Sequence, residues 1–405
     1  MLMPDTFLVQ KTYEGFRKLI LGNHKTAYFQ RIDDWRKAGS PFFPVTQKFF
    51  TYFIGFKKID YVNEGIPVSQ YILKTKQTTN QEKLNKKQTF QIKNTKYLQL
   101  SKDHTNFTIS DNNSNSYVLV SKKGSMYKGR EGIEFYPQEL FLFDIVKVHG
   151  NTDVVLKNKQ FKKSKYKIPS QQIVVETKFI RPLIKGASIT PFHFEASAYT
   201  FFPYEQSISD KVAISEAALR NLAPKTYRFF KEYESVFNEQ NSYSRKMING
   251  KHIPFYSLAR VGKYSFSDYN VVFRDNTKNA ACVVSTIDTP LGKLKPVFQN
   301  HAVTISQRPD GEFISKPEAY YIAGIMNCDV VNRFIKDSSD SRSFPINPRY
   351  QIPLYGIKEV LALQNQISEL SHIAHKRWND PEAVSSLKQK ISKLYIKLLS
   401  QQLKS

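Results

Sequence analysis

The sequence predicts a chain of mixed α/β and α+β class. Three observations lead to this prediction: a strand–helix–strand alternation near the amino terminus, a long middle region of short β-rich segments, and two long helical patterns at the carboxyl end. The 405 residues are 40% hydrophobic and include 30 Phe and 23 Tyr, which is enough apolar material for real cores. Wholesale disorder is therefore excluded.

Residues 1–77 have the pattern of an α/β domain. Asp5 or Thr6 is expected to cap a helix that Gly22 ends, with apolar residues along one side. An extended segment follows, and 67–74 alternate as a strand does. Because the chain starts within this alternation of strands and helices, we expect the segment to be the C-terminal part of a larger α/β domain.

A second domain is expected over 78–355. The segment from Lys74 to about Lys96 is rich in Lys, Gln, Asn and Thr, which predicts a solvated linker or a mobile loop, with the linker favoured. Asn and Gly turns then separate the predicted strands. These strands are 96–100, 117–121, 140–148 and 173–180, a second β-rich stretch is 255–306, and the predicted helices are 210–222, 225–237 and 318–335.

The last segment, 356–405, predicts a helical hairpin. Helices are expected over 357–379 and 381–403, and Asp380-Pro381 between them supplies an N-cap followed by Pro at the first helical position. The sequence contains no run of about 18 apolar residues and no signal-peptide pattern at its start. We therefore expect a cytoplasmic protein with no membrane partner.

The charge of the chain is strongly positive. Its 60 Lys and Arg stand against 35 Asp and Glu, a formal net charge of +25. A surplus of this size favours a polyanionic partner, because each cation placed on a phosphate releases condensed counterions. The codon bias of AT-rich genomes also produces Lys-rich surfaces, so charge alone leaves both explanations open. Aromatic residues interleaved with Lys and Arg favour nucleic acid, since they can stack on bases.

Common cofactor and catalytic motifs are missing from the sequence. It has no Gly-x-x-x-x-Gly-Lys-Ser/Thr loop, no Gly-x-Gly-x-x-Gly turn and no His-Glu-x-x-His helix. Two cysteines, Cys282 and Cys328, exclude a disulfide scaffold and a four-cysteine zinc site. His372 and His375 lie three apart on a predicted helix, where packing within the hairpin is favoured over a metal site.

Two acidic patterns are candidates for a metal-dependent nuclease site, which needs clustered carboxylates with a Lys. They are Glu176-Thr177-Lys178 and Pro309-Asp310-Gly311-Glu312. A structural role is favoured for both, because Glu-x-Lys is common in strands and Pro-Asp-Gly is typical of turns. Asn347-Pro348-Arg349-Tyr350 differs by its Arg from the Asn-Pro-Pro-Tyr/Phe motif that holds a flipped adenine, so a rigid loop is favoured.

Several segments taken together resemble one family. They are Gly129–Leu140, Phe179–Ile189 and Tyr256–Asn276, followed by Glu318–Asn327. In this order they are similar to the C-terminal target-recognition region of N6-adenine DNA methyltransferases and of fused, type IIG-like restriction–modification enzymes. The Pro-Leu-Ile-Lys-Gly element at 182–186 and a helix ending in Ile-Met-Asn are recurrent there.

The amino terminus fits the same resemblance. Residues 2–19 resemble the late strand and helix of such a methyltransferase domain, and in the family the cofactor loop and Asn-Pro-Pro-Tyr/Phe lie upstream of that point. The resemblance implies an incomplete Rossmann-like methyltransferase remnant at 1–77, a target-recognition domain at 78–355 and a helical hairpin at 356–405. It also implies that the chain recognises double-stranded DNA and has no catalytic residue, cofactor or metal of its own. S-adenosylmethionine and the methyl transfer would come from a partner methyltransferase chain.

A recognition domain needs side chains that hold phosphates for register and others that contact base edges. Arg can bridge guanine O6 and N7, and Asn or Gln can pair with adenine N6 and N7. For any one candidate an ordinary exposed surface position is favoured over a DNA contact, and a half-buried ion pair within a strand is a further alternative for Arg260 and Arg274. The candidates are Arg245, Lys246, Arg260, Lys263, Arg274, Asn276, Gln307, Arg308, Ser339, Arg342 and Arg349.

Two other functions remain open at this point. One is an autonomous restriction endonuclease with a metal-dependent site, for which Glu176 and Asp310 are the residues to test. The other is a non-enzymatic RNA- or DNA-binding protein that shares only a fold with the methyltransferase systems.

Overall fold

A computed structural model shows how the chain is organised. It describes residues 2–8, 13–39, 48–74, 90–101, 104–109, 114–121, 124–150, 152–162, 164–207, 211–239, 253–274, 279–338 and 346–402. The chain divides into two compact units: unit 1 is Met1–Lys123 with Val330–Arg342, and unit 2 is Gly124–Asp329 with Ser343–Ser405. None of the described helices is long and apolar enough to cross a membrane.

The helices and strands of the described residues are numbered here in chain order. The helices are α1 Glu14–Lys18, α2 Ser114–Ser121, α3 Glu216–Leu222, α4 Pro224–Glu232, α5 Glu234–Asn238, α6 Lys316–Asn327, α7 Asp329–Ser338, α8 Leu361–Lys376 and α9 Pro381–Gln402. The first six strands are β1 Leu2–Pro4, β2 Tyr28–Lys37, β3 Phe49–Gly55, β4 Ile66–Leu73, β5 Phe90–Ser101 and β6 His104–Ile109. The remaining strands are β7 Phe143–His149, β8 Asp153–Asn158, β9 Gln172–Glu176, β10 Ile180–Ile184, β11 Ile189–Thr190, β12 His193–Phe194, β13 Ala198–Phe201, β14 Asn270–Arg274, β15 Ala281–Val284, β16 Ile287–Thr289, β17 Gly292–Leu294, β18 Val297–Phe298 and β19 Ala302–Ile305.

Unit 1 is built on one six-stranded sheet in the order β1-β3-β2-β4-β5-β6. Its neighbouring strands are antiparallel except for β2 and β4, which are parallel. A Rossmann-like sheet is mostly parallel, so this arrangement shows a mixed α+β unit and does not establish a Rossmann-like remnant. Aromatic side chains fill the core, with Phe7, Phe29, Phe50, Tyr97 and Phe107 all buried.

The extent of unit 1 differs from the predicted division after residue 77. Strands β4 and β5 lie on opposite sides of that point and pair from Ile66–Tyr97 to Leu73–Phe90. The predicted linker is wrong for residues 90–96, which belong to β5, while 75–89 lie outside the described residues. The polar composition of this segment suggested a linker because a strand with an exposed polar surface contains the same residue types as a linker.

Two further predictions for unit 1 are corrected by the structure. The predicted strand 117–121 is wrong, because these residues belong to α2, where Tyr117 and Val120 are both fully buried at helical spacing. Within the helix predicted from Asp5 to Gly22, the described residues form a 3-10 turn at Asp5–Leu8 and helix α1, and residues 9–12 lie outside the described residues. Helix α1 ends where Leu19 adopts a left-handed backbone conformation with φ 45°.

Unit 2 contains two larger sheets. The first has six strands in the order β18-β10-β13-β7-β8-β9 and carries α4 against β9. The second has three strands in the order β15-β14-β19, and α6 packs on it. Two hairpins, β11-β12 and β16-β17, complete the unit. Both sheets are antiparallel except for the β10–β18 pair.

The predicted C-terminal helical hairpin is confirmed as α8 and α9, and both helices also pack on α6. The Asp380 carboxylate accepts a hydrogen bond from the Ala383 N–H at 3.0 Å, as expected of an N-cap. The predicted helix 318–335 is instead two helices, α6 and α7, because Cys328 has an extended backbone. Likewise the predicted helix 225–237 is divided into α4 and α5 at Tyr233.

Candidate nucleic-acid interface

The segments that carry the family resemblance meet within unit 2. Leu183 on β10 pairs with Val297 on β18, and the Ile133 N–H donates to the Phe298 carbonyl at 2.7 Å. A further β-bridge joins Glu134 to Ala259. Residues far apart in sequence therefore share one core around β18.

Two glycines in the first of these segments allow close backbone contact. A Cβ at Gly129 would lie 2.1 Å from the Ile346 carbonyl oxygen, and one at Gly132 would lie 2.2 Å from the Gln299 carbonyl oxygen. Side-chain carbons do not approach oxygen so closely, so only glycine fits at either position without a shift of backbone. These glycines hold the 129–134 segment against the strands that support the candidate interface.

A tight turn at 260–266, called here the basic turn, carries the predicted cations Arg260 and Lys263, and Arg130 lies beside it. Arg260 has a left-handed backbone with φ 65°, and the Tyr264 hydroxyl donates to its carbonyl oxygen at 2.6 Å. The Arg260 guanidinium, 18% exposed, forms an ion pair with Glu131 at 2.7 Å, which agrees with the half-buried ion pair expected as an alternative, although Arg260 lies in a turn and not in a strand. The guanidinium of Arg130, an exposed residue, lies over the Tyr264 ring at 6.0 Å from its centroid. Lys263, in the same turn, is also exposed.

The turn at 307–313 lies beside the basic turn. Gln307 forms a β-bridge with Phe313, and its side-chain amide donates to the Gly311 carbonyl oxygen at 2.8 Å. The Lys263 ammonium donates to the same oxygen at 3.2 Å. Of the predicted DNA-binding residues, Arg260, Lys263 and Gln307 are thus brought together.

Arg308 has a different environment, because its guanidinium points into the fold. It lies 3.5 Å from a carboxylate oxygen of Glu318, which is 0% exposed, and donates to the Tyr355 carbonyl at 3.2 Å. Glu318 also accepts a short hydrogen bond from the Tyr127 hydroxyl at 2.5 Å. These contacts give Arg308 a structural role at the start of α6.

Two further predicted DNA-binding residues, Arg274 and Arg349, are described by the structure and lie outside the basic turn. Arg274 is half-buried at the end of β14, and Arg349 is exposed. The remaining candidates lie outside the described residues and comprise Arg245, Lys246, Asn276, Ser339 and Arg342.

The two nuclease candidates have structural contacts. The Glu176 carboxylate accepts from the Lys225 N–H at 2.8 Å and from the Thr226 N–H at 3.0 Å, and so caps the amino end of α4. The Asp310 carboxylate accepts from the Glu312 N–H at 3.0 Å, which is the local hydrogen bond of an Asx turn. Both contacts agree with the structural interpretation of these patterns.

The Asn347–Tyr350 segment also has structural contacts. The Asn347 side-chain oxygen accepts from the Gly129 N–H at 3.0 Å. The Tyr350 ring is only 4% exposed, so it has no free face for stacking on a flipped base. The segment is a loop that supports the 129–134 region.

Sequence reasoning missed a cavity that the end of the basic turn helps to line. Ser265 and Phe266 form part of its wall, and its volume is about 530 Å³. The cations on its wall are Arg181, Lys293 and Lys295, and the aromatic residues are Phe202, Tyr204 and Phe266. One signal was present in the sequence: Lys293 and Lys295 are two apart in an extended segment, which places them on one face.

Arg181 is the most unusual of these cations. It is half-buried on β10, and its guanidinium donates to the Lys178 carbonyl at 3.0 Å and to the Ile180 carbonyl at 2.9 Å. No carboxylate of the described residues lies within ion-pair distance of it. Burial lowers the pKa of Arg181 because no nearby negative charge offsets the loss of water.

No protein-family model matches the chain, and no curated protein matches it in sequence. Among the residues that the structure describes, no group of three or more His, Cys, Asp or Glu side chains is arranged to hold a metal ion.

Proposed function

We propose that this chain is the specificity part of an adenine-specific DNA methylation or restriction–modification system. Its task would be sequence-specific recognition of double-stranded DNA by unit 2. A partner methyltransferase chain would supply S-adenosylmethionine, the cofactor loop and the Asn-Pro-Pro-Tyr/Phe motif. A Rossmann-like remnant in unit 1 is part of the same proposal, and so is a cytoplasmic location.

The observation that carries the proposal is the surface at the basic turn. Arg130, Arg260 and Lys263 lie there beside the Tyr264 ring and the Gln307 amide. Such a set contains the two kinds of group that DNA recognition needs: cations that hold phosphates, and an amide or guanidinium that contacts base edges. The formal net charge of +25 supports the same partner.

The acidic neighbours at this surface are compatible with phosphate binding. Glu131 contacts Arg260 at 2.7 Å, and Glu312 lies 4.0 Å from the Lys263 ammonium. A guanidinium has five N–H donors and an ammonium has three, so one carboxylate leaves donors for a phosphate. The carboxylate also fixes the direction of the cation before DNA arrives.

The salt dependence of duplex binding tests the DNA-binding part of the proposal. We expect the affinity of the full chain for a pool of duplexes to fall steeply with salt, with log K decreasing by about 0.9 per phosphate contact for each unit of log salt. Lys263→Ala should reduce this slope by about one contact. Lys390→Ala is the matched control, because it removes the same charge from an exposed lysine on α9, outside the basic turn, and it should leave the slope unchanged. A flat salt dependence of the wild-type chain would contradict DNA recognition.

The methylation part needs a second experiment. The chain is mixed with duplex DNA and labelled S-adenosylmethionine, with and without the product of the neighbouring gene. The proposal predicts transfer of label to adenine only when the partner is present. Methylation by this chain alone would overturn the division of labour between two chains.

A further inference from the structure

The cavity beside the basic turn has the size of a small-molecule site. Its volume of about 530 Å³ lies within the range of about 300–1,000 Å³ typical of such sites. Its wall is formed by β10, by residues 202–207, by Ser265–Phe266 and by 293–297 after the β16–β17 turn. All of these residues belong to unit 2.

The charge on the cavity wall is positive and partly uncompensated. The one carboxylate on the wall, Glu205, is paired with Lys178 at 3.2 Å, and Lys295 is paired with Asp268 at 2.5 Å. Arg181 and Lys293 have no carboxylate within ion-pair distance among the residues that the structure describes. A cation that has lost water and has no anionic partner is costly, which favours a bound anion beside Arg181.

An aromatic wall lies next to these cations. The Phe202 and Tyr204 rings are stacked with centroids 4.8 Å apart, and the Phe266 ring lies 5.8 Å from Phe202. The Tyr204 hydroxyl accepts from the Leu258 N–H at 2.6 Å, so its polar end is already engaged. Phe202 and Tyr204 are buried, whereas Phe266 is only half-buried and offers part of its ring to a ligand.

We propose that this cavity binds one nucleotide, with its phosphate beside Arg181 and Lys293 and its base against Phe266. An anion alone would use the cations but not the aromatic wall, and an apolar ligand would leave the cations unpaired. A nucleotide uses both, because every base has a π-face that an aromatic side chain can stack on. The nucleotide is either a free one or one unit of a DNA strand turned out of its duplex. Only the second source rests on the proposed function.

The test is calorimetric titration of the full chain with deoxyadenosine 5′-monophosphate, with deoxyadenosine and with inorganic phosphate. The monophosphate should bind at least tenfold more tightly than either of the other two. Lys293→Ala and Phe266→Ala should each weaken its binding several-fold, and Arg181→Gln should weaken it at least tenfold. Lys390→Ala is the control and should leave the affinity unchanged.

Two outcomes would overturn the inference. One is the absence of monophosphate binding at millimolar concentration. The other is equal affinity for the monophosphate and for inorganic phosphate with no effect of Phe266→Ala, since the aromatic wall would then have no part in binding. Lys293 is exposed, so its variant tests the cation even if Arg181→Gln lowers stability.

A competition experiment separates the two sources of the nucleotide. If the cavity takes a unit of DNA, saturating monophosphate and the Phe266→Ala substitution will both weaken duplex binding. If the ligand is a free nucleotide, the duplex and the monophosphate will bind independently. Monophosphate binding by a chain that binds no duplex would refute the proposed DNA function and still support the cavity site.

Discussion

Each unit of this protein holds a charged side chain wholly or partly away from water, and the two side chains have different partners. In unit 1 the Asp34 carboxylate is 3% exposed and accepts from the Tyr97 hydroxyl at 2.6 Å, from Gln70 at 3.1 Å and from Arg36 at 3.0 Å. In unit 2 the half-buried Arg181 guanidinium donates to two backbone carbonyls, and no carboxylate of the described residues lies within ion-pair distance of it. The first charge is paired within the fold, whereas the second is the one that we propose a bound nucleotide pairs with.

The pKa shifts of the two groups express the same difference. Burial alone would raise the pKa of Asp34, but the Arg36 charge and the hydrogen bonds from Arg36 and Tyr97 hold it below its usual value. Burial lowers the pKa of Arg181, and no partner opposes that effect. A buried charge with all its partners therefore indicates structure, and one that lacks them at a cavity indicates a binding site.

The largest expected effect is on the complete network of unit 1. Asp34→Ala should lower the free energy of unfolding by about 3–5 kcal/mol, because it leaves the Arg36 guanidinium without its anion in a mostly buried position. Urea unfolding curves of the full chain measure this loss.

The matched control in unit 1 is Glu14→Gln. Glu14 forms an ion pair with Lys18 at 3.3 Å, and both side chains are well exposed. Its loss should change the free energy of unfolding by at most about 0.5 kcal/mol. If Asp34→Ala and Glu14→Gln lower the free energy of unfolding equally, the hydrogen-bonded Asp34 network does not stabilise unit 1 more than an exposed ion pair does.

A smaller effect is expected at His375, a titratable group of unit 2 whose partners suit its neutral form. Its Nε2 accepts from the Val283 N–H at 2.9 Å, and its Nδ1 donates to the Ser371 carbonyl at 2.8 Å. Burial, assisted by the nearby His372, lowers the pKa of His375 to about 4 from 6.5. Because the folded-state pKa is the lower one, the unfolded chain takes up the proton first as the pH falls.

This stabilisation is fully present above pH 6.5 and is lost as the pH falls toward about 4. Lowering the pH from 7 to 5 should therefore reduce the free energy of unfolding by on the order of 1–2 kcal/mol. Urea unfolding at the two pH values measures it, with His375→Gln as the comparison. If the variant shows the same pH dependence as the wild type, the titration belongs to other groups.

The sequence allowed prediction of those features that depend on neighbouring residues. The α8–α9 hairpin was predicted because Asp380-Pro381 is a local capping signal, and β4 was predicted from the alternation in 67–74. Helix α2 was predicted as a strand because Tyr117 and Val120 have high β-propensity. Packing around these two side chains determines their structure, and packing is not visible in a short window.

The candidate site was only partly predictable for the same reason. Arg260 and Lys263 were predicted as cations of a recognition surface, but the burial of Arg308 against Glu318 depends on a tertiary contact. Arg181 was not predicted as a binding residue, because it lies in an otherwise apolar strand, where a single cation suggests an edge position. The absence of a carboxylate beside it among the described residues depends on tertiary contacts, which a sequence does not show.

The smallest expected effect on stability is that of Arg181→Gln, and this variant also gives the most direct test. The melting temperatures of the wild-type chain and of Arg181→Gln are measured with and without deoxyadenosine 5′-monophosphate. If Arg181 is held for a ligand, the two ligand-free melting temperatures will be nearly equal, and the monophosphate will raise only that of the wild type. A ligand-free loss as large as that of Asp34→Ala, or an equal rise in both chains, would contradict the contrast between the two buried charges.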